Sequence, residues 1–176
     1  MSTWNWVMGV NFFGVVHGIR AFLPHLIAQG EGHIVNTASI LGLLAPPLGS
    51  PYAASKHAVV ALSESLHHEL LTIGSPVGVS VLCPGFVRTR LADAVRNRPA
   101  TYSTAEAEHA GLREFTDATE ALVSGGTDPA PIAAAVRDAI IANRFWILTH
   151  PEFNDPITAR FRGEVEGRNP ETAAPA

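Results

Sequence analysis

Tyr52 and Lys56 stand four residues apart at the start of a long apolar-periodic stretch. On a helix that spacing puts both side chains on one face, within reach of each other. A tyrosine is a poor acid–base group as it stands, because its pKa lies near 10. A neighbouring ammonium favours the phenolate. Bringing the phenol close to neutrality takes about 4 kcal/mol of differential interaction, and one close charge in a dry site supplies a large part of that. By itself Tyr-x-x-x-Lys is a weak signal, and its plain alternative is a partly buried tyrosine beside a solvated lysine. The context adds a hydroxyl: Ser39 lies thirteen residues before Tyr52, at the end of the apolar segment His33–Ala38.

The elements that must position these groups are legible from periodicity and punctuation. Residues 3–29 read as a helix, with Trp6, Val10, Phe13, Val16, Ile19, Phe22 and Leu23 near helical spacing. Phe12, Val15 and Leu26 widen its apolar surface, so burial on more than one side is expected. Pro24 is a potential kink, and Gly30 and Gly32 stop the helix. A strand follows over 33–38, then a Leu/Pro/Gly-rich loop over 41–51 and a second long helix over 52–73, with Gly74 as its stop. Val77–Cys83 is a second strand, ended by Pro84-Gly85. Residues 91–126 are mixed. Asp128-Pro129 starts a helix over 131–143, with Asp as N-cap, and 144–149 is a third strand. From Gly163 the chain is polar, and a loosely ordered tail is expected over 163–176, leaving 1–162 as one domain. Strands alternating with long helices predict an α/β layer with parallel strands, whose chemistry gathers beyond the strands' carboxyl ends. Ser39 and Pro84–Thr89 fall at such ends.

Read together, Gly32-His-Ile-Val-Asn-Thr-Ala-Ser39 and Tyr52-Ala-Ala-Ser-Lys56 resemble the short-chain dehydrogenase/reductase pattern, in which a serine after a strand precedes a Tyr-x-x-x-Lys helix. Upstream, Trp6-Val-Met-Gly-Val-Asn11-Phe-Phe-Gly14 resembles that family's helix with a catalytic asparagine. Downstream, Pro84-Gly85-Phe-Val87-Arg-Thr89 resembles its Pro-Gly-x-Val-x-Thr cofactor loop. The likeness covers most of residues 4–150. It implies a partial Rossmann-like, doubly wound parallel sheet and hydride transfer between NAD or NADP and an alcohol/ketone pair. It also implies roles. Tyr52 exchanges a proton with the substrate oxygen, and Ser39 donates a hydrogen bond to that oxygen. Lys56 lowers the pKa of Tyr52 and bonds the nicotinamide ribose. Asn11 holds a water that extends the proton path. Pro84, Gly85, Val87 and Thr89 hold the nicotinamide. Leu41, Leu43, Leu44, Pro46, Pro47 and Leu48 fall where the family lines its substrate cleft, and Phe86 lies on the cofactor loop, which points to an apolar or bulky substrate. Each residue has a bland alternative: Asn11 bonding backbone, Ser39 capping a strand end, Thr89 capping the next helix, and the leucines packing their own loop.

The likeness also has gaps. A complete member opens with strand, Gly-rich turn and helix, the turn that holds the pyrophosphate on backbone amides. Gly30 and Gly32 precede a strand rather than follow one, and Gly9, Gly14 and Gly18 lie within a helix pattern. Roughly the first hundred residues of a complete member have no counterpart in this sequence. Three explanations stay open: a longer native chain, a truncated remnant, or a second chain that supplies the surface. The competing functional reading is accordingly a non-catalytic remnant that serves as an oligomerisation or interaction module. The family commonly oligomerises through two long helices, here 3–29 and 52–73, so a homo-oligomer is expected.

Composition narrows the rest. The chain has 176 residues, 47% hydrophobic and 16% charged, with a net charge of −4. This gives no electrostatic case for nucleic acid or an anionic membrane. The stretch with Arg88, Arg90, Arg96 and Arg98 is interrupted by Asp93 and reads as a solvated helix face. The apolar runs read as too short to span a bilayer, and a cytoplasmic protein is the expectation. The single cysteine, Cys83, allows no internal disulfide and reads as a small core residue. No metal site is expected: His67-His68-Glu69 is not His-Glu-x-x-His. A Gly-x-Ser-x-Gly hydrolase elbow is absent.

Overall fold

The structure, a computed structural model, describes residues 1–102 and 110–170. Three parallel strands make one sheet: β1 (His33–Thr37), β2 (Gly78–Cys83) and β3 (Trp146–Leu148), in the order β1-β2-β3. The register pairs His33 with Gly78 and Thr37 with Leu82, then Val81 with Trp146 and Cys83 with Leu148. Every residue of β2 is buried. Its odd-numbered side chains Val79, Val81 and Cys83 enter the clusters that hold Val59, Val60, Leu66 and Leu70. Leu82 faces the other way, onto Ile132, Ala139 and Ile147. A strand with apolar residues on both faces requires helices on both sides, which is why parallel pairing wins here.

One side is covered by α3 (Ser50–Thr72), the other by α5 (Pro129–Ile141). Asp128 caps α5, its carboxylate accepting from the Ala130 N–H, and Pro129 occupies the first turn as predicted. Helix α3 ends before Gly74, whose φ of 66° lies in the left-handed region that favours glycine.

The N-terminal helix is in three parts: α1 (Ser2–Met8), a π-turn over Gly9–Phe13, and α2 (Gly14–Gln29). Pro24 lies within α2 without breaking it, and Gly30 caps it at φ 76°. Burial on more than one side does not occur. No residue of these three segments is buried. A single stripe, Phe12, Val15, Ile19, Leu23 and Leu26, packs on the α3 side of the core, while Val10, Phe13, Phe22 and Ile27 face outward. The apolar runs also proved longer than the sequence reading allowed. The helix Ser2–Gln29, 28 residues with a most apolar window of mean hydropathy 1.3, meets a membrane span's length and composition. Here its inner stripe is engaged by the core, as in a layer helix.

Two further readings change. The arginine stretch is not a helix face. It runs through short turns at Ala94–Asn97 and Ala100–Tyr102, with Arg88 paired to Asp128, Arg90 and Arg96 paired to Asp93, and Arg98 stacked on Trp6 and bonded to the Thr3 hydroxyl. Within the mixed region α4 spans Ala110–Ser124. Helix α6 (Asn154–Val165), not foreseen, runs through Gly163, where the sequence reading starts the tail, and Gly163 is buried. The expected loose tail over 171–176 lies outside the described residues.

Candidate active site

The carboxyl ends of the three strands gather the residues singled out by type and spacing. β1 leads into Ser39, β2 into Pro84–Thr89, and α3 begins beside them with Tyr52 and Lys56. Ser39 is in extended conformation, and its hydroxyl caps a short 3-10 turn (Ile40–Gly42) by accepting from the Leu41 N–H at 3.2 Å. Gly42 sits under Lys56, where a Cβ would come within 2.8 Å of the Lys56 carbonyl oxygen. The turn therefore packs directly on α3. The Ile40 N–H also donates to the Pro84 carbonyl at 2.8 Å, so the Ser39 turn and the loop after β2 are joined.

The Ser39 hydroxyl lies close enough to the Tyr52 phenol to act on its proton. Lys56 is 9% exposed. Its ammonium donates to the Thr37 carbonyl at 3.0 Å and stands 5.5 Å from the Tyr52 ring centroid. Electrostatically the outcome differs from the sequence expectation. Burial pushes the Tyr52 phenol above its usual range, and the Ser39 hydrogen bond offsets this only in part. The spacing brings Lys56 close, but its hydrogen bond goes to the end of β1 and its charge sits over the ring. Burial likewise holds Lys56 below its usual range, with the neighbouring Cys83 acting in the other direction. Cys83 itself is pushed up to about 12, by burial first, against the Ser39 N–H and Lys56. It is a buried thiol in the core, as its sequence neighbourhood predicts.

Asn11 lies in the π-turn. Such turns recur at functional sites because they rotate side chains out of the α-helical register. Its amide donates to the Ser55 hydroxyl at 3.1 Å, and Ser55 donates to the Tyr52 carbonyl at 2.7 Å. Ser55 is fully buried and was not singled out by sequence. Its place inside Tyr-Ala-Ala-Ser-Lys, one turn after Tyr52, was the available signal. Thr89 is exposed, and its hydroxyl accepts from the Leu91 N–H at 3.3 Å, capping a turn rather than an α-helix. Val87 forms a parallel bridge with Thr127. Of the loop leucines, Leu43 belongs to the core, whereas Leu41 and Leu44 are half-buried and Leu48 is exposed. Phe86 is half-buried, its ring 6.4 Å from that of Phe153.

One residue the sequence reading passed over, His150, follows β3 and is 6% exposed. It touches the same loop, accepting from the Gly85 N–H at 2.9 Å.

The chemistry of this donor set suits a nicotinamide nucleotide. Among the described residues the buried ammonium has one protein acceptor, Thr37, for its three hydrogens. Spare donors beside a phenol and a hydroxyl can be taken up by water or by a ligand's hydroxyl groups.

The family model for short chain dehydrogenase matches residues 1–100, more than half of the chain. The chain belongs to the short-chain dehydrogenase family. Among curated relatives, C alpha-dehydrogenase of Sphingobium sp. is 31% identical over 172 residues, 97% of this chain and 55% of the relative. The CLA biosynthesis dehydrogenase/reductase of Lactiplantibacillus plantarum is 33% identical, over 96% of this chain and 60% of the relative. The chain thus spans little more than half the length of these relatives. A solved short-chain dehydrogenase/reductase from Burkholderia phymatum, in complex with NAD, is similar at a TM-score of 0.95 and 41% identity, over 98% of this chain and 62% of that one. The α/β architecture with its parallel sheet is that of this family's Rossmann-like fold.

Proposed function

We propose that this chain forms the C-terminal part of an NAD(P)-dependent oxidoreductase acting on an alcohol/ketone pair through Ser39, Tyr52 and Lys56. The observation that carries this reading is the convergence of a buried ammonium with spare donors, a phenol and a serine hydroxyl at the carboxyl ends of parallel strands. Lys56, Val87 and Thr89 would hold the nicotinamide end, with Pro84 and Gly85 beneath it. A bound nicotinamide nucleotide supplies the hydride chemistry.

The protein's own groups handle the proton. In carbonyl reduction the substrate oxygen gains negative charge, and the Ser39 hydroxyl donates a hydrogen bond to it. Tyr52, held protonated by burial, gives its proton to that oxygen. The phenolate left behind is stabilised by Ser39 and by the positive charge of Lys56. Asn11 and Ser55 fix the start of α3 and so the height of Tyr52 over the site. In this reading Asn11 also holds the water that returns a proton by way of Lys56. Half-buried Leu41 and Phe86 favour an apolar substrate, and we place the protein in the cytoplasm.

A second reading, an interaction module, is favoured by the outward face of the N-terminal helix, where Val10 and Phe22 are 60% and 67% exposed. The same face supports a homo-oligomer. Titration with NADH, NADPH and reduced nicotinamide mononucleotide, followed by quenching of Trp4, Trp6 and Trp146, separates the two. Saturable binding is expected, with turnover lowered about 10²–10⁴-fold by Tyr52→Phe at unchanged affinity. Absence of binding by all three nucleotides would remove the cofactor reading for this chain by itself.

A further inference from the structure

We propose that His150 is a positioning residue that clamps the loop Pro84–Thr89 in its nicotinamide-holding shape; this rests on the reading of that loop given above. His150 lies 65 residues from Gly85 in sequence, yet its ring spans the loop's backbone. Nδ1 accepts from the Gly85 N–H at 2.9 Å and meets the Thr149 hydroxyl at 2.9 Å. Nε2 lies 3.2 Å from the Phe86 carbonyl and 3.2 Å from the Thr127 hydroxyl. A backbone N–H can only donate, so Nδ1 must accept, and the proton resides on Nε2, where the Phe86 carbonyl receives it. One neutral imidazole therefore satisfies both an N–H and a C=O of consecutive residues, Gly85 and Phe86. No hydroxyl or carboxylate can do that in one rigid plane.

The loop's shape depends on close approach here. A Cβ on Gly85 would lie 2.8 Å from His150 Cγ and 2.9 Å from Phe153 Cε2, so only glycine lets the ring in. Behind Phe86, Gly126 is equally constrained, its Cβ position 2.5 Å from the Phe86 carbonyl oxygen. Thr127 then completes the hold. Its N–H donates to the Phe86 carbonyl and its own carbonyl accepts from the Arg88 N–H, both at 2.9 Å. At its other end the loop is bonded through Pro84 to the Ser39 turn. His150 is thus the side chain that ties the end of β3 to the segment between the Ser39 turn and Val87. Through it the spacing of Val87 and Thr89 from Lys56 is fixed.

The test uses the full chain, His150→Phe and His150→Asn, titrated with reduced nicotinamide mononucleotide, the half of the cofactor this loop would face. Gly85 amide exchange is followed in parallel. Phenylalanine keeps the ring's volume but has no acceptor. Asparagine keeps an acceptor at the position of Nδ1. The expected result is about tenfold weaker binding and faster Gly85 exchange in His150→Phe, with both largely restored in His150→Asn. Equal binding by the wild type and His150→Phe overturns the clamp alone. Binding kept in His150→Phe but lost in His150→Asn assigns His150 to packing and also overturns it. A wild type that binds no nucleotide overturns the clamp's role together with the cofactor reading it rests on.

Discussion

The two long helices that flank the site make opposite use of similar apolar content. Helix α3 buries Ala53, Ser55, Lys56, Val59, Val60, Ser63, Leu66 and Leu70, a face that mixes aliphatic packing with the polar groups of the candidate site. The N-terminal helix buries nothing fully and turns Val10, Phe13 and Phe22 outward. A helix is placed by what covers it. α3 is held by the sheet and by polar links such as Asn36 to Ser63 at 3.0 Å, whereas the N-terminal helix rests on α3 through one stripe. The groups that need fixed geometry sit on the covered helix. The uncovered one contributes a single amide, Asn11.

This contrast is open to direct attack. Leu70→Ala, in the buried stripe of α3, is expected to cost about 2–5 kcal/mol in urea unfolding, the range for large-to-small core changes. A value below about 1 kcal/mol would mean the covered helix is loosely held. Alkaline titration probes the same side at Cys83. Its folded thiol keeps its proton to about 12, so the folded state binds more protons than the unfolded one above pH 9. Stability should be unaffected by this group below pH 9 and fall between 9 and about 12, by no more than about 1.4 kcal/mol per pH unit. Cys83→Ala should flatten that slope. Ser55→Ala removes the acceptor for Asn11 and the donor to the Tyr52 carbonyl, and should cost about 1–3 kcal/mol. Smallest of all, Phe22→Ser on the outward face should change monomer stability by under about 0.5 kcal/mol. A larger loss that shrinks on dilution, with a wild-type dimer seen in sedimentation, would show that a second copy covers this face.

How much of this was legible beforehand varied with the kind of signal. Strand and helix limits followed from glycine and proline punctuation, and Asp128-Pro129 marked its helix start because capping chemistry is local. Strand end and helix start also placed Ser39 and Tyr52 at the same end of the layer, because both limits are set by local punctuation. The direction of the Lys56 ammonium was not legible. Residue spacing gives proximity, but the carbonyl that captures Nζ belongs to Thr37, nineteen residues away. His150 carried no pattern at all: a lone histidine after a three-residue strand, partnered with a loop distant in sequence. Helix α6 was hidden by its polar composition, with Pro156 near its start and Gly163 inside it. The outward face of the N-terminal helix was misread because apolar content cannot report what stands opposite.

The wide turn over Gly9–Phe13 has a consequence for residues that never touch the site. It holds one residue more than an α-helical turn, and each residue advances a helix by about 100°. Deleting a single residue there would restore ordinary pitch and, because the wide turn absorbs its extra residue within one revolution, leave the preceding seven-residue segment close to its present azimuth. Thr3 and Trp6 would stay beside Arg98, and the change would fall on the residues inside the turn. The irregularity that aims Asn11 at Ser55 thus leaves the azimuth of the chain's first two turns unchanged.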